Sequence, residues 1–415
     1  MESRAGNSAH AAQGSGGIAR TRIVVLGGGV AGLTAACELR RRLAGQADIL
    51  LLSDRGQFLL PMGLLSVPFR RRSDEIGFSI GPTLAKLGIG FRVGRVDRVD
   101  PERRVVIAQG EDVPYDFLLV ATGPDVDAQA VPGLGGEFGA AYFLHTEAGA
   151  LSLSEAVEQY LGDPGPAVVA LAAGASYLAP AYEFVLELDY ALRKGGKRDA
   201  AQLAFVTPEP YLGYLDAGTP RARTILERVF GDRHIEVHEN AELARVDGDH
   251  VELRSGVRLP TVLTVVVPEF RGTAGIWKTS GLTDERGYVP VDENYRHRRY
   301  PEIFAAGLAA DAEVSRAAQV PVPKTGYLAT AMAKAAARSI AAATAGRVPR
   351  ARALPRVLDV RIVDGGDVGL LLWSIGSTHP LRFAVHLHGG LAHVLKSWLN
   401  RYVLWKLRTG RSYLP

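Results

Sequence analysis

The sequence predicts an α/β protein built from two doubly wound parallel sheets. The first observation is a continuous apolar run, RIVVL at residues 22–26, followed at once by a glycine cluster and a helix-favouring stretch. The second is a repeat of this plan from residue 167, where AVVAL precedes another turn of small residues and a helical stretch. Apolar strands that alternate with helices are typical of parallel sheets covered by helices on both faces.

Composition limits the classes of protein that the chain can belong to. Its 415 residues are enough for two or three domains, and 48 basic against 44 acidic residues do not indicate a nucleic-acid partner. The single cysteine, Cys37, excludes intrachain disulfides and multi-cysteine metal sites, and favours a reducing compartment. The first 20 residues lack the apolar core of a signal peptide and are expected to be a disordered tail.

The glycine cluster after the first strand has the spacing G-x-G-x-x-G, formed by Gly27, Gly29 and Gly32. The first glycine permits a tight turn, the second lets the backbone approach a pyrophosphate, and the third lets the helix pack on the strand. The free N–H groups and the dipole at the N-terminus of the helix favour an anion. The stretch therefore predicts a Rossmann-like dinucleotide site.

An acid in the expected place supports that site. The second strand, DILLLSD, ends at Asp54, about 20 residues after the last glycine, where a carboxylate can hydrogen-bond a ribose hydroxyl. We expect the nearby Arg55 and Pro61 to contact the same cofactor.

Two further strand ends indicate which dinucleotide is bound. The stretch YDFLLVATGP ends in Ala121, Thr122 and Gly123, and PEIFAAGLAAD contains Gly307 at the end of its apolar run. Both resemble the strand-end motifs of flavoproteins with two dinucleotide-binding folds, and this resemblance implies FAD on the first fold. That family usually has an acid directly after the second glycine, whereas this chain has Leu308, so one FAD contact is either missing or supplied by another group.

The second fold departs from the glycine pattern. Its three glycine positions are occupied by Ala172, Gly174 and Tyr177, and a tyrosine in the third position blocks close approach of helix and strand. We therefore expect a degenerate NAD-binding-like domain that does not take NAD(P)H. The predicted organisation is an FAD-binding domain from residues 21–125 and 290–350, the degenerate domain at 126–289, and a C-terminal segment at 351–415 that closes the flavin site.

Four longer segments narrow the resemblance. They are GASYLAPAYEFVLELDYALRK, FVTPEPYLGYL, VPVPKTGYLATAM and RYVLWKLRTGR. In this order they resemble segments of sulfide:quinone oxidoreductases and flavocytochrome c sulfide dehydrogenases, a branch of the FAD-dependent pyridine nucleotide-disulfide oxidoreductases. The resemblance implies FAD, a second fold without nicotinamide, and a C-terminal part at the membrane surface that admits quinone.

The resemblance also shows what this chain lacks. In those enzymes two cysteines beside the flavin collect sulfur as a persulfide, and the matching positions here are Tyr177 and Arg361. Cys37 lies inside the first helix, where a buried cysteine acts as a small apolar residue. Because thiolate chemistry needs a thiolate, we expect no persulfide mechanism.

Four residues are candidates to replace that chemistry. The resemblance places Lys324 near the flavin, where a cation stabilises the anionic reduced ring, although a surface lysine is the alternative. Tyr177 either stacks, hydrogen-bonds or donates a proton over the flavin, or fills the space of the lost cysteine. Glu183 is a base or only complements a helix dipole. Arg361 binds an anionic substrate or is an ordinary exposed arginine.

Three histidines lie close together near the C-terminus. His386 and His388 are two residues apart and would share one face of a strand, with His379 shortly before them. No carboxylate or cysteine lies near in sequence, so we predict no metal site and keep a proton path towards quinone as the alternative.

The C-terminal residues predict a membrane-contacting helix. No Asp or Glu follows Asp367. An apolar stripe at helical spacing runs through Leu391, Leu395, Trp398, Tyr402 and Trp405, with basic residues beside it. We expect residues 391–411 to contact the inner face of the cell membrane of a cytoplasmic, peripheral protein. The alternatives are a helix packed on the protein body and a contact between copies in a homo-oligomer.

The predicted function is that of an FAD-dependent oxidoreductase that passes electrons from an unidentified donor to a quinone. One alternative is a soluble FAD-dependent dehydrogenase or oxidase of a specialised pathway. The other is a non-catalytic flavin-binding partner subunit.

Overall fold

Two parallel sheets, each flanked by helices, form the centre of the molecule and confirm the expected fold class. The computed structural model describes residues 20–69, 76–135, 140–214, 219–273, 281–312, 326–349, 358–375 and 381–414. Residues 1–19 of the predicted N-terminal tail, Lys324 and His379 lie outside these residues.

Within the described residues, the first third of the chain contributes ten strands and three α-helices. The strands are β1 (Thr21–Leu26), β2 (Ala47–Ser53), β3 (Gln57–Leu59), β4 (Gly77–Ser79), β5 (Gly90–Val93), β6 (Val96–Asp100), β7 (Val105–Ala108), β8 (Glu111–Pro114), β9 (Phe117–Val120) and β10 (Pro124–Val126). The helices are α1 (Val30–Leu43), α2 (Pro61–Leu64) and α3 (Ile80–Lys86).

The middle third repeats the alternation of strands and helices. Its strands are β11 (Pro166–Leu171), β12 (Gln202–Val206), β13 (Glu236–His238), β14 (Leu243–Val246), β15 (His250–Leu253), β16 (Arg258–Pro260), β17 (Leu263–Val267) and β18 (Phe270–Gly272). Its helices are α4 (Glu147–Gly162), α5 (Ala179–Lys194) and α6 (Pro220–Asp232).

The last third returns to the first sheet and then adds a separate layer. Its strands are β19 (Val289–Val291), β20 (Ile303–Ala305), β21 (Ala310–Ala312), β22 (Leu358–Asp364), β23 (Val368–Ile375) and β24 (Leu381–His388). Its helices are α7 (Gly326–Thr344) and α8 (Leu391–Arg408).

The first sheet has the strand order β20-β9-β1-β2-β5, and all its strands are parallel. Strand β1 is central, and four of its apolar residues, Ile23 to Leu26, are buried on both faces. Because the strands are parallel, the carboxyl ends of β1, β9 and β20 meet at one edge, and the loops there can converge on one ligand.

The second parallel sheet has the order β13-β12-β11-β17. The chain adds β12 and then β13 on one side of β11, and later adds β17 on the other side. The antiparallel pair β10 and β18 connects the segment after the first sheet to the segment after the second. A C-terminal antiparallel sheet, β22-β23-β24, lies against α5 and α6 and carries α8 on it. The end of α8 reaches the first fold, where the Thr83 hydroxyl donates to the Arg408 carbonyl at 3.2 Å.

Candidate functional site

The glycine turn after β1 is shaped by contacts that only glycine permits. Gly27 has a φ of +104°, and a Cβ on it would lie 2.3 Å from the carbonyl oxygen of Ala121. A Cβ on Gly32 would lie 1.8 Å from the carbonyl oxygen of Gly27, which closes α1 onto the turn. At Gly29, by contrast, a Cβ would meet nothing within 4 Å. The turn is therefore closed on the protein side and open at the residue where a pyrophosphate would approach.

Helix α1 begins directly at this opening. Its N-cap residue, Gly29, provides no side-chain cap, and its first turn contains no acid. The first N–H groups of a helix have no partner within the helix, so at this end they favour an anion. The turn and the helix end together fit a dinucleotide pyrophosphate.

The carboxyl ends of β9 and β20 lie beside the same turn. Gly123 has a φ of +78° and open space where a Cβ would be. Thr273 holds this loop, because its hydroxyl donates to the Gly123 carbonyl at 3.2 Å and lies 3.2 Å from the Thr122 hydroxyl. A Cβ on Gly307, which has a φ of +70°, would lie 2.9 Å from the Cβ of Ala31 in the first turn of α1. The structure thus brings three separately predicted segments to one edge of the sheet.

Two acidic residues, Asp54 and Asp125, lie at this edge, and sequence reasoning did not single out Asp125. Asp54 follows β2, is exposed, and forms an ion pair with Arg55 at 3.4 Å. Asp125 lies close enough to Asp54 that burial and the Asp54 charge both raise its pKa, while Arg95 lowers it. The only sequence signal for Asp125 is its position directly after the Ala-Thr-Gly-Pro strand end. Pro61 is exposed at the first position of α2, and Leu308 is half-buried in the position of the usual acid.

Tyr177 lies half-buried in the turn between β11 and α5, beside a histidine that sequence reasoning missed. The ring of His145 packs edge-on at 6.2 Å from Tyr177 and 4.9 Å from Phe270, measured between ring centroids. Among the described residues, neither ring nitrogen of His145 has a hydrogen-bond partner, and both are enclosed. Burial lowers the pKa of His145 to about 4, so its imidazole is neutral near pH 7.

Glu183 and Arg361 lie in the layer formed by α5, α8 and the C-terminal sheet. Glu183 is buried in α5, where it accepts a hydrogen bond from the ammonium of Lys396 on α8 and one from the Asp364 backbone at 3.4 Å. Arg361 is half-buried on β22, opposite Leu372 of β23. The geometry of Glu183 is that of a residue that attaches α8 to the body of the protein.

Cys37 and the histidine pair follow their sequence patterns. Cys37 is buried in α1, and burial raises the pKa of its thiol to about 12, so the thiol stays protonated. The rings of His386 and His388 lie 4.0 Å apart on β24, on the shared face expected of a strand. Burial, His388, Arg228 and Arg233 all lower the pKa of His386.

The corresponding turn of the second fold is filled by a carboxylate. Gly174 has a φ of +79°, and a Cβ on it would lie 2.7 Å from the carboxyl carbon of Glu269, which follows β17. Arg286 holds this carboxylate at 3.2 Å. Beside β12, Glu209 accepts hydrogen bonds from the hydroxyls of Tyr182 and Thr207. The turn where a nicotinamide dinucleotide would put its phosphates therefore contains the carboxylate of Glu269, whereas Glu209 follows β12, a place where an acid commonly hydrogen-bonds a ribose.

Helix α8 buries several polar side chains and exposes several apolar ones. Its buried residues include Lys396, Asn400 and Lys406. Its exposed apolar residues are Leu391, Val394, Leu395, Trp398 and Trp405, and Trp398 is 73% exposed. Within the described ranges, no helix combines the length and the apolar character needed to span a bilayer.

Comparison with known proteins places these features in one family. The family model described as pyridine nucleotide-disulphide oxidoreductase matches residues 21–335. The chain is 29% identical to the sulfide-quinone reductase of Aquifex aeolicus over 94% of its length and 91% of that protein. The crystal structure of the sulfide:quinone oxidoreductase from the same organism superimposes with a TM-score of 0.85, at 28% identity, over 94% of this chain and 92% of that one.

The name of a second relative gives a different activity. The NADH dehydrogenase-like protein Rv1812c of Mycobacterium tuberculosis is 30% identical over 71% of this chain and 74% of its own length. The two relatives therefore differ in the substrates that their names give. The position of Glu269 against Gly174 in the second fold bears on whether this chain can bind NADH.

Proposed function

The chain belongs to the pyridine nucleotide-disulphide oxidoreductase family and is an FAD-dependent oxidoreductase, and we propose that it passes electrons from a small-molecule donor to a quinone. The observation that carries this proposal is the extent of the similarity to sulfide-quinone reductase. The family model ends at residue 335, whereas the similarity covers 94% of the chain and so includes most of the C-terminal segment.

Bound FAD supplies the redox chemistry, and the residues of the chain bind and orient it. We assign its pyrophosphate to the N-terminus of α1 with Gly27, Gly29 and Gly32, and its ribose to Asp54. Open space at Gly29 and Gly123 supports this assignment, because both backbones can approach a ligand closely. Arg55, Pro61, Ala121, Thr122, Gly307 and Lys324 complete the proposed contacts.

The proposed donor side contains Tyr177 and His145. The neutral imidazole of His145 packs against the ring of Tyr177, and the phenol of Tyr177 can hold or move a proton that a donor releases. The chain has one cysteine, buried and protonated in α1, so a persulfide route is not part of the proposal. We expect Lys324 and Arg361 to add positive charge near the reaction.

The proposed acceptor side is a membrane surface. The apolar face of α8 would contact an anionic bilayer on the inner face of the cell membrane, and the exposed cations Arg401, Arg408 and Arg411 would meet lipid phosphates. A helix that buries lysines and exposes tryptophan is explained by a second apolar phase on its outer side. Quinone dissolved in that phase would then reach the flavin from the C-terminal segment.

An NAD(P)H-dependent activity is the second candidate, favoured by the similarity to the NADH dehydrogenase-like protein. The position of Glu269 against Gly174 argues against it, because a carboxylate repels the phosphates of the coenzyme. A soluble dehydrogenase and a non-catalytic partner subunit remain outcomes of the experiment below.

The decisive experiment is an anaerobic screen of purified holoenzyme with sulfide, NADH, NADPH and other small donors, following the flavin absorbance. We expect slow or no reduction by NADH and NADPH, and reoxidation of the reduced protein by a quinone faster than by oxygen. Protein purified without FAD, or reoxidised no faster by quinone, would overturn the proposal. Fast reduction by sulfide would show that the cysteine-free site still oxidises sulfide, and slow reduction by every donor would favour a partner subunit.

A further inference from the structure

Three side chains that can bind a metal ion meet at the junction of α5, β22 and α8. Glu187 comes from α5, Asp364 ends β22, and His393 lies in the first turn of α8. Each offers one ligand atom, and these atoms all lie within 4.8 Å of one another. Imidazole nitrogens and carboxylate oxygens are ligands that Zn²⁺ and related divalent cations take in proteins. We call these three residues the junction cluster.

The junction cluster is the second row of the contact that attaches α8. Residues three or four apart are neighbours on a helix, so Glu183 and Glu187 share one face of α5, as His393 and Lys396 do on α8. In the first row the Lys396 ammonium donates to the Glu183 carboxylate. In the second row an imidazole faces the carboxylates instead. An imidazole nitrogen can coordinate a cation, whereas an ammonium group has only donors.

Asp364 is held in an orientation that suits a metal ligand. One of its carboxylate oxygens, Oδ1, accepts a hydrogen bond from the Gly366 N–H at 3.1 Å. The other, Oδ2, lies 2.9 Å from Nδ1 of His393. The side chain of Asp364 is only 5% exposed. Hydrogen bonds from outer partners orient the carboxylates that bind metal ions. The backbone therefore fixes one oxygen of Asp364 and leaves the other on the side of His393.

The other two side chains of the cluster are accessible to an ion from solvent. The His393 side chain is 48% exposed, and Glu187 is half-buried. Zn²⁺ binds nitrogen and oxygen at about 2.0–2.2 Å, so the ligand atoms of a tetrahedral site lie about 3.4 Å apart. Movements on the order of 1 Å by His393 and Glu187 bring the cluster to that spacing, with water in the fourth position.

The simplest explanation of the cluster is a structural hydrogen bond between His393 and Asp364. That pair does not account for the carboxylate of Glu187, which a third element brings to the same point. Glu187 and His393 also take part in other interactions, with which a bound ion competes. We therefore expect an ion that exchanges with solvent, unlike the ion of a closed structural zinc site with four protein ligands.

The junction cluster is separate from the two positions that match the redox cysteines. Asp364 lies three residues along β22 from Arg361, which places their backbones about 10 Å apart. Glu187 lies eight residues into α5 from Ala179, about 12 Å along the helix axis from the turn that contains Tyr177. An ion in the cluster therefore contacts the attachment of α8 and not the proposed donor side.

We propose that the junction cluster binds a divalent transition-metal cation, with Glu187, Asp364 and His393 as its protein ligands. The ion joins α5, the end of β22 and the first turn of α8, and adds a second attachment beside the ion pair of Lys396 and Glu183. This site does not depend on the proposed electron transfer.

The test is isothermal titration of FAD-saturated holoenzyme with ZnCl₂ and with MgCl₂, after removal of affinity tags, treatment with EDTA and dialysis. We expect a saturable site for one Zn²⁺ per chain, and binding of Mg²⁺ at least about tenfold weaker because Mg²⁺ prefers oxygen ligands. His393→Gln and Glu187→Gln should each weaken Zn²⁺ binding at least about tenfold, since each removes a ligand from a different helix. Circular dichroism checks that both variants fold, as expected for changes at partly exposed side chains.

The control is His388→Gln, at an exposed histidine of the pair on β24, which offers Zn²⁺ an alternative site. This variant should leave the affinity unchanged. Absence of saturable Zn²⁺ binding would overturn the proposal, and so would equal effects of His388→Gln and His393→Gln. Weaker binding in only one of His393→Gln and Glu187→Gln would also overturn it, because both helices must contribute a ligand.

Discussion

The ammonium group of Lys396 on α8 donates a hydrogen bond to the buried carboxylate of Glu183 on α5. Both side chains are less than a tenth exposed, so water screens this ion pair weakly. Beside it, His393 lies 2.9 Å from Asp364, at the end of β22. The Lys396–Glu183 ion pair and the His393–Asp364 contact, together with apolar packing, attach α8 to the rest of the protein, and the apolar side of α8 is left exposed.

Removing one partner of this pair should destabilise the protein strongly. We expect Lys396→Met to lower the free energy of unfolding by about 3–5 kcal/mol, because it leaves the Glu183 carboxylate charged and buried without a cation. Chemical denaturation of holoenzyme measures the loss. The double variant Lys396→Met with Glu183→Leu should recover much of it, since no unpaired charge remains. Equal stability of the single variant and the native protein would contradict an energetic role for the pair.

The glycine turn gives a matched pair of substitutions. Gly32→Ala places a methyl group 1.8 Å from the Gly27 carbonyl oxygen and should prevent the first fold from closing. Gly29→Ala places it in open space, so the protein should fold but bind FAD at least about tenfold more weakly, by crowding the pyrophosphate. Circular dichroism and the ratio of flavin to protein absorbance separate the two effects. Full FAD content in Gly29→Ala would contradict the assigned position of the pyrophosphate.

His145 should make stability depend on pH below neutrality. Its pKa is lowered to about 4 in the folded protein, so between pH 6.5 and 4 the unfolded chain binds the proton and the folded one does not. Stability therefore falls as the pH falls through this range. Between pH 7 and 5 we expect native protein to lose about 2 kcal/mol more than His145→Gln, measured by urea unfolding. Parallel losses in both proteins would show that His145 is not the group responsible.

The outer face of α8 should govern binding to membranes. We expect the double variant Leu395→Glu with Trp398→Glu to lose at least about tenfold in affinity for phosphatidylglycerol vesicles, because two apolar side chains can no longer enter the bilayer. Co-sedimentation with vesicles measures this. Leu151→Glu, at an exposed leucine on α4, is the control and should bind as the native protein does. If native protein stays in solution, the soluble alternative is favoured.

Glu269 should determine whether the second fold accepts a nicotinamide coenzyme. We expect Glu269→Ala to bind NADH at least about tenfold more tightly than the native protein, since it clears the space at Gly174 and frees Arg286 to meet a phosphate. Titration of NADH fluorescence under anaerobic conditions measures the change. Glu285→Ala, at an exposed acid nearby, is the matched control. Tight binding of NADH by the native protein would show that Glu269 does not exclude it.

Local patterns predicted the elements that depend on neighbouring residues. The strand, glycine turn and helix from residue 22 onward, the alternating α/β order and the shared face of His386 and His388 all follow from short-range geometry. The resemblance carried by longer segments identified the family and FAD. The domain limits, the role of each proposed site residue and the donor stay predictions.

The sequence did not predict contacts between segments that are far apart in the chain. Nothing near Glu183 in the chain indicates that Lys396, more than 200 residues later, neutralises it. The enclosed nitrogens of His145 and the carboxylate of Glu269 against Gly174 likewise depend on segments that are far apart in the chain. The sequence by itself determined the nucleotide-binding plan and the loss of the redox cysteines, because these are properties of residue type and spacing. Only the tertiary structure decided which charges are paired and which are buried, because burial and partner distance set their energies and neither is a property of local sequence.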